Sequence, residues 1–347
     1  MNRRGRLRDH GLSVGRLPPG PLNAITDVPD VHVGHLTLLE GDAVRTGVTA
    51  ILPHGGNVFR ERVPVGLAVG NGYGKLAGGT QVQELGELET PLVLTNTLSV
   101  AAGLDGVIGW TLEQPGNEAV QSVNAVVGET NDGVLNDIRA RAVRPEHVRA
   151  ALAAARSGPV AEGAVGAGTG TVCFGWKGGI GTASRGVVTD AGAFTLGALV
   201  QSNFGGDLTV CGVPVWADLQ PPPAAPDGSV MIVLATDAPL SDRNLTRLAR
   251  RAFLGVGRTG GVMANGSGDY ALAFSTAPGV RRSLDAALHH TAELPNAALS
   301  ALFQAAVEAT EEAILNSLFT AHTITGTGGR TVQALPVDRV LALTRPA

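Results

Sequence analysis

The feature that most restricts the fold of this chain is a nearly continuous apolar run at residues 229–235, directly after a proline-rich stretch. Four of the six residues at positions 221–226 are proline, so this stretch is stiff, extended and unable to pair within a sheet. The run after it lacks the polar alternation of a half-exposed strand. It therefore predicts a strand buried on both faces, which needs a packed layer on each side. We expect the proline stretch to be an exposed loop.

The rest of the pattern predicts strands and helices that are interleaved without a strict strand–helix–strand order. Short apolar runs between Gly and Asn clusters predict strands at 48–53, 63–69, 91–94, 169–174, 193–200 and 270–274. Helical spacing predicts helices at 97–108 (capped by Thr97), 145–158, 241–255 and 295–321. Glycine, at 48 of 347 residues, predicts many close backbone contacts. Together these features predict one α/β domain of layered sheets and helices.

The composition and charge argue against several classes of protein. Lysine and arginine total 26 against 30 acidic residues, so there is no basic excess for nucleic acid or anionic membrane. The apolar runs fall short of the roughly 20 residues that span a bilayer, and the basic residues at 3–8 lead into no apolar signal segment. Two cysteines, Cys173 and Cys211, cannot build a disulfide framework. We therefore expect a soluble, reduced, cytoplasmic protein.

Motifs for cofactors and metals are absent or stand in the wrong context. Residues 255–260 match the G-x-G-x-x-G pattern of dinucleotide sites, but they close a predicted helix instead of opening one. Gly74-Lys75 lacks the residues that complete a phosphate-binding loop, and His32 and His35 have no partners in metal-ligand spacing. The hydrolase patterns G-x-S-x-G and H-E-x-x-H do not occur. We expect neither a metal nor an organic cofactor.

The junction Gly228-Ser229 places a hydroxyl residue at the first position of the buried strand. Gly228 permits a strained turn that would bring Ser229 Oγ onto the preceding carbonyl, where an N-to-O acyl shift and hydrolysis would cut the chain. The freed Ser229 amine would titrate near ~8 and act as the base for its own hydroxyl. A simple turn ahead of a strand explains the same two residues without any chemistry, so both interpretations stay open at this point.

Motifs spread over almost the whole chain carry a family resemblance. They are NAITDVP at 23–29, VGH at 33–35, GNGYGK at 70–75, ETP at 89–91, TNTLSV at 95–100, GS at 228–229 with ATDAP at 235–239, and GSGD at 266–269 with AFST at 273–276. Together they resemble the DmpA-like peptidases, the family of L-aminopeptidase/D-esterases and β-peptidyl aminopeptidases. A set of this extent is far more specific than one short motif, and it favours the self-cleavage interpretation of Ser229.

The resemblance implies an αββα-sandwich and a self-processing serine aminopeptidase, amidase or esterase that needs no cofactor. Residues 1–347 would form one domain, synthesised as a precursor and cut between Gly228 and Ser229. The large chain 1–228 and the small chain 229–347 would stay together, because the new terminus begins a core strand. The family also implies a small peptide, amide or ester as the substrate, and a homo-oligomer of processed units.

The resemblance assigns five residues to the active site. Ser229 corresponds to the nucleophile, and Ser267 and Asp269 correspond to the pair that supports it. Asn203 corresponds to the amide that stabilises the oxyanion, and Glu129 to the carboxylate that holds the substrate's ammonium group. These roles suit the side chains, since an amide can donate to a developing alkoxide and a carboxylate pairs with a cation. β-Peptidase members carry Glu at the acidic position, so the shorter Asp269 weakens the expectation of β-peptide cleavage.

Plainer alternatives exist in the sequence itself. Residues 265–269, 131–133 and 203–205 contain turn signals, which alone would place the candidate side chains in ordinary turns or solvated loops. Two other functions are also open. An acyltransferase of the ornithine acetyltransferase type would normally have Thr at the new terminus, so Ser229 argues against it. An unprocessed binding protein without catalysis would purify as one intact chain.

Overall fold

The strand predicted at residues 229–235 lies at the centre of the fold. The computed structural model describes residues 4–219 and 228–344, and in it Ser229–Thr236 forms a strand in which every residue is buried. Neighbouring strands pair with it on both sides, as the apolar run requires. The proline-rich residues 221–226, predicted to be an exposed loop, lie outside the described residues.

The described residues form the following strands and helices. The strands are β1 (His32–Glu40), β2 (Val44–Leu52), β3 (Glu61–Gly72), β4 (Leu76–Ala77), β5 (Glu87–Leu88), β6 (Leu92–Asn96), β7 (Val126–Thr130), β8 (Val172–Cys173), β9 (Trp176–Lys177), β10 (Gly179–Thr189), β11 (Gly192–Asn203), β12 (Ser229–Thr236), β13 (Gly268–Ser275), β14 (Arg282–Ser283), β15 (Ile324–Thr325) and β16 (Thr331–Val332). The α-helices are α1 (Gly79–Leu85), α2 (Val100–Leu112), α3 (Pro145–Ala153), α4 (Trp216–Leu219), α5 (Asp242–Arg258), α6 (Leu299–Thr320) and α7 (Val337–Thr344). Across residues 4–219 and 228–344, no helix has both the length and the apolar character needed to cross a membrane.

The larger sheet has the strand order β10-β11-β12-β13-β3-β14, and β5 pairs with another part of β3. β12 and β13 are parallel and are connected through α5, whereas the other neighbours are antiparallel. In this register Ser229 lies between Asn203 of β11 and Gly268 of β13. Ser229 and Gly268, the first residues of β12 and β13, therefore lie beside Asn203, the last residue of β11, at one end of these three strands.

The smaller sheet has the strand order β1-β2-β6-β7-β4. β6 and β7 are parallel and are connected through α2. Glu129 of β7 lies opposite Thr95 of β6, close to the carboxyl ends of both strands. Glu129 and Ser229 therefore belong to different sheets, and only the packing of the sheets can bring them together.

The fold has four layers, which pack against one another through three apolar clusters. The first joins α5 and α6 to the larger sheet, the second fills the space between the sheets, and the third joins α2 and α3 to the smaller sheet. Members of these clusters are Leu248, Ile314 and Ile232 in the first, Leu94, Met231 and Val233 in the second, and Val107, Val148 and Val93 in the third. The prediction of a single αββα domain is confirmed.

Close contacts between layers account for part of the high glycine content. A Cβ atom on Gly181 would lie 1.9 Å from the carbonyl oxygen of Ala313 in α6. A Cβ atom on Gly66 would lie 2.0 Å from the backbone nitrogen of Thr246 in α5. Both distances are far below van der Waals contact, so the helices can approach the sheet this closely only over glycine.

The strand predicted at 169–174 is wrong in extent. Only β8 forms there, and a 3-10 turn precedes it. The hydroxyl of Thr169 donates to the Gly166 carbonyl at 2.6 Å, and that of Thr171 donates to the Gly168 carbonyl at 3.1 Å. Threonine hydroxyls that bond the backbone locally compete with strand pairing, and here the local bonds prevail.

The helix predicted from residue 97 is confirmed, but its cap is not Thr97. A 3-10 turn at Thr97–Ser99 precedes α2, and the side chain of Asn96 accepts a hydrogen bond from the Leu98 N–H at 3.1 Å. Asn and Thr are both good capping residues, so the sequence pattern does not distinguish them. The hydroxyl of Thr97 is used elsewhere, as described below.

Candidate active site

Ser229 is the first residue of β12, a central strand of the larger sheet, and its side chain is buried. Its Oγ donates a hydrogen bond to the carbonyl oxygen of Gly228 at 2.7 Å. The backbone N–H of Gly268 donates to the same Oγ at 3.2 Å. The hydroxyl is therefore held beside the peptide group that precedes it in the chain.

Gly228 is required for space. A Cβ atom at this position would lie 2.2 Å from the carbonyl oxygen of Asn203 and 2.4 Å from the Cα of Phe204. Any side chain at residue 228 would therefore push the junction away from β11.

Asn203 is the last residue of β11 and lies directly opposite Ser229. The backbone N–H of Val172 donates to its Oδ1 at 2.9 Å, which determines how the amide is oriented. Its Nδ2 has no hydrogen-bond acceptor among the described residues. A donor of this kind beside the Ser229 hydroxyl has the chemistry needed to stabilise an oxyanion.

Ser267 and Asp269 form a buried pair where β13 begins. Ser267 Oγ donates to Asp269 Oδ1 at 2.7 Å, and Asp269 lies opposite Val230 in the parallel register. Burial raises the pKa of Asp269 to about 6, although hydrogen bonds from Ser267 and the Val230 backbone oppose the rise. Asp269 Oδ2 is buried and has no hydrogen-bond partner within the described part of the chain. This oxygen can therefore accept a hydrogen bond from a group placed at the start of β12.

Glu129 reaches the site from β7 of the smaller sheet and is only 2% exposed, so it is not a solvated loop residue. Its Oε1 accepts a hydrogen bond from the backbone N–H of Lys75 at 2.9 Å, and its Oε2 accepts one from the hydroxyl of Thr97. The Lys75 ammonium, whose side chain is 54% exposed, lies 3.9 Å from Oε1. The carboxylate is thus held rigidly in a position where it already neighbours a cation.

Residues of both sheets line a cavity of about 490 Å³ at this point. Its wall includes Ser229, Asn203 and Glu129. Ser267 and Asp269 do not line it, but lie buried next to Ser229 on the neighbouring strand. The five residues named from the sequence are therefore brought together, and the volume suits a small ligand.

Three contacts of this site are not apparent from the sequence. They are the hydrogen bond from Thr97 to Glu129, the one from the Gly268 N–H to Ser229, and the one from the Tyr270 hydroxyl to the Gly74 carbonyl at 2.8 Å. The segments TNTLSV and GNGYGK contain Thr97 and Gly74, so the family motifs mark the right places. They do not reveal which atoms meet.

One histidine considered for metal binding, His35, is engaged in a structural hydrogen bond. His35 Nδ1 is hydrogen-bonded to Thr49 Oγ1 at 2.9 Å, and burial together with the cation of Arg156 lowers the pKa of His35 to about 4. Residues 255–260 end α5, as expected, and do not open a helix. Within residues 4–219 and 228–344, no group of three or more His, Cys, Asp or Glu side chains is placed to hold a metal ion.

Comparison with known proteins gives a family and solved relatives. The model of peptidase family S58 matches residues 23–332. A β-peptidyl aminopeptidase (BapA) of Sphingosinicella microcystinivorans is 43% identical over 369 residues, which cover 98% of this chain and 92% of that protein.

Two solved structures also match over nearly their full length. A β-aminopeptidase of Burkholderia sp. superposes with a TM-score of 0.92 at 42% identity, covering 99% of this chain and 100% of that one. The L-aminopeptidase D-Ala-esterase/amidase of Ochrobactrum anthropi, described as a prototype of serine aminopeptidases with a variant of the Ntn hydrolase fold, gives 0.92 at 38% identity and 97% of both chains.

Proposed function

This chain belongs to peptidase family S58, and on that premise we propose that it is a self-processing serine aminopeptidase that releases N-terminal residues from short peptides, amides or esters. Its relatives are aminopeptidases, which makes the chain a hydrolase of this kind. The observation that carries the finer proposal is that a hydroxyl, an amide donor and a buried carboxylate border one cavity, at Ser229, Asn203 and Glu129.

The first step of the proposal is cleavage of the Gly228-Ser229 bond. Ser229 Oγ attacks the Gly228 carbonyl carbon, the C–N bond breaks, and the nitrogen takes up a proton to give an ester and a free amine. Water then hydrolyses the ester, which leaves a carboxylate on Gly228 and restores the Ser229 hydroxyl. The short distance between Oγ and this carbonyl group supports the step.

The second step uses the new Ser229 amine. An α-amino group titrates near ~8, so near neutral pH part of it is unprotonated and can accept the proton of its own hydroxyl. Oγ then attacks the substrate carbonyl, the leaving amine departs with the proton, and water releases the acyl group. The Asn203 amide donates to the oxyanion that forms during each attack.

Asp269 is proposed to position the new amine. Its Oδ2 is buried without a partner, and its register partner Val230 follows Ser229 directly. A cationic amine at residue 229 would supply the partner that this oxygen lacks, because buried carboxylates are stable only when paired. The Ser267 hydroxyl donates to Oδ1 of Asp269, which leaves Oδ2 available to accept a hydrogen bond from the amine.

The precursor form allows a test of Asp269 by pH. Because the pKa of Asp269 is raised from 3.8 to about 6, the folded chain binds its proton more tightly than the unfolded chain does. The cost of ionising Asp269 is absent below pH ~4 and complete above pH ~6. We compare the Ser229→Ala precursor with and without Asp269→Asn. The free energy of unfolding of the Asp269→Asn form, relative to that of the form with Asp269, should rise by up to about 3 kcal/mol from pH 4 to pH 7.

Urea unfolding of both precursors at pH 4 and pH 7 measures this difference. The exposed Asp190 provides the control, since Asp190→Asn should change stability equally at both pH values. A difference for Asp269→Asn that does not depend on pH would show that this carboxylate is not desolvated in the precursor.

Glu129 is proposed to recognise the free amino terminus of the substrate. A buried carboxylate held by two donors can form charge-assisted hydrogen bonds with an ammonium group. The nearby Lys75 ammonium supports this role, and its exposed side chain can move away when the substrate binds. An aminopeptidase needs this contact to distinguish a free amino terminus from an acylated one.

Acetylation of the substrate should therefore reduce activity. Leaving Glu129 against a neutral amide is expected to cost on the order of 2 to 5 kcal/mol. We expect kcat/KM for free aminoacyl p-nitroanilides to exceed that for their N-acetyl forms by at least about 30-fold. Testing α- and β-aminoacyl substrates in parallel would also show which backbone the site prefers.

Glu129→Gln should reduce the ratio of kcat/KM for the free substrate to kcat/KM for its N-acetyl form, mainly by lowering the value for the free amine. Glu146→Gln, at an exposed carboxylate of α3 on the outside of the smaller sheet, should leave it unchanged. Equal cleavage of free and acetylated substrates by processed enzyme would refute the role of Glu129, and would favour an acyltransferase.

A further inference from the structure

We propose that Lys177 is a positioning residue for the oxyanion donor. Its buried ammonium group holds the hairpin β8–β9 so that the Val172 N–H meets the Asn203 amide. This inference rests on the proposed function, because it assigns how the Asn203 donor is kept in place.

Lys177 is completely buried. Its Nζ donates to the carbonyl oxygens of Gly168 and Thr171 at 2.9 Å each, and to that of Gly178 at 2.7 Å. Three donors and three acceptors match the protonated ammonium group. A buried cation is costly unless every hydrogen is bonded, so the carbonyl groups and the ammonium hold each other in place.

The hairpin that contains Lys177 is too short to be stable by pairing alone. β8 and β9 have two residues each, and Val172 lies directly opposite Lys177. The tip residues Phe174 and Gly175 both have positive φ, at 52° and 77°. Small isolated hairpins are marginal in water, so the conformation depends on external ties. The ammonium supplies some of these ties by bonding carbonyls on both sides of the hairpin, and backbone hydrogen bonds from Phe174 to Phe204 and from Lys177 to Gln333 supply others.

The hairpin holds the Asn203 amide through one backbone group, and its residues Val172 and Gly175 also line the cavity. The Val172 N–H donates to Asn203 Oδ1 at 2.9 Å, and the Phe174 N–H donates to the Phe204 carbonyl at 2.7 Å. If the hairpin shifts, Oδ1 loses its donor and the amide can rotate. Rotation exchanges the NH₂ group with the oxygen, which would place an acceptor where the oxyanion needs a donor.

The protonation state of Lys177 should matter for the same reason. Burial lowers the pKa of Lys177 to about 7, while the Cys173 thiol and the Asp132 carboxyl group raise it. The third titratable neighbour is His322, whose own pKa is lowered by burial and by Lys177. A neutral amine has two hydrogens, so loss of the proton as the pH rises removes one of the three carbonyl bonds.

Lys177→Met keeps the length of the side chain but removes the donors. We expect processed Lys177→Met enzyme to show kcat lowered by about tenfold or more, with KM changed less than about twofold. The control is Val148→Ala in α3, which removes buried apolar contacts in the cluster on the outer side of the smaller sheet, a cluster that contains no hairpin residue. It should lower the melting temperature and leave kcat near the wild-type value.

A double-mutant cycle separates positioning from general weakening of the fold. In an Asn203→Ala background, adding Lys177→Met should change kcat less than about twofold, because the amide that it positions is already gone. Equal losses in both backgrounds, or a wild-type kcat for Lys177→Met, would overturn the inference. A wild-type kcat for that variant would leave the proposed function intact, whereas activity in Ser229→Ala would refute the proposed function itself.

If Lys177→Met does not accumulate as folded protein, the pH dependence of kcat decides. The ratio of wild-type kcat to Asn203→Ala kcat should fall as the pH rises above about 7, because titration of the Ser229 amine affects both enzymes and cancels in the ratio. A ratio that does not change with pH would contradict a role of Lys177 through Asn203.

Discussion

Ser229→Ala is expected to leave one uncut chain without hydrolytic activity. The replacement removes the hydroxyl that is proposed to attack the Gly228 carbonyl, so neither the ester nor the new amino terminus should form. It also removes the atom that would carry the acyl group during turnover. Both losses should be complete within detection, because no other hydroxyl in the described residues bonds the Gly228 carbonyl.

A denaturing gel and N-terminal sequencing measure the first loss. The wild-type protein should separate into residues 1–228 and 229–347, with the small chain beginning at Ser229. Ser275→Ala is a matched control, since Ser275 is a buried serine at the end of β13 that lies away from Ser229. It should be cut and active. A Ser229→Ala protein that still appears as two chains would exclude self-cleavage by this hydroxyl.

Asn203→Ala is expected to lower kcat by about 10² to 10³ while the fold remains intact. The amide lies beside Ser229 and is the proposed donor, so its loss should leave the developing oxyanion without that hydrogen bond. Self-cleavage passes through a similar oxyanion and should slow as well, so kinetics are measured on the fraction that has been processed after long incubation. Circular dichroism and thermal unfolding report on the fold.

Asn203→Asp distinguishes the donor role from a structural one. The carboxylate can still accept the hydrogen bond from the Val172 N–H, but it has no donor and adds a negative charge beside the oxyanion. We expect Asn203→Asp to be at least as impaired as Asn203→Ala. Wild-type turnover in Asn203→Asp would show that Asn203 serves only as an acceptor at the end of β11.

The family and the layered fold follow largely from the sequence. The resemblance to DmpA-like peptidases is confirmed by the S58 match, and the αββα architecture by the sheets and clusters. The helices predicted at 241–255 and 295–321 correspond to α5 and α6 within a few residues. The helix predicted at 145–158 ends earlier, at Ala153. The chain cut, the homo-oligomer and the cytoplasmic location stay predictions.

The sequence by itself determined the buried strand, the hydroxyl at its start and the glycine before it. These are properties of one segment, because the burial of a strand is written in its own apolar pattern. The tertiary structure alone decided that Thr97 bonds Glu129 and that Lys177 lies buried behind Val172. Such contacts join elements far apart in the chain, so they depend on strand register and on how the two sheets pack, which no local pattern specifies.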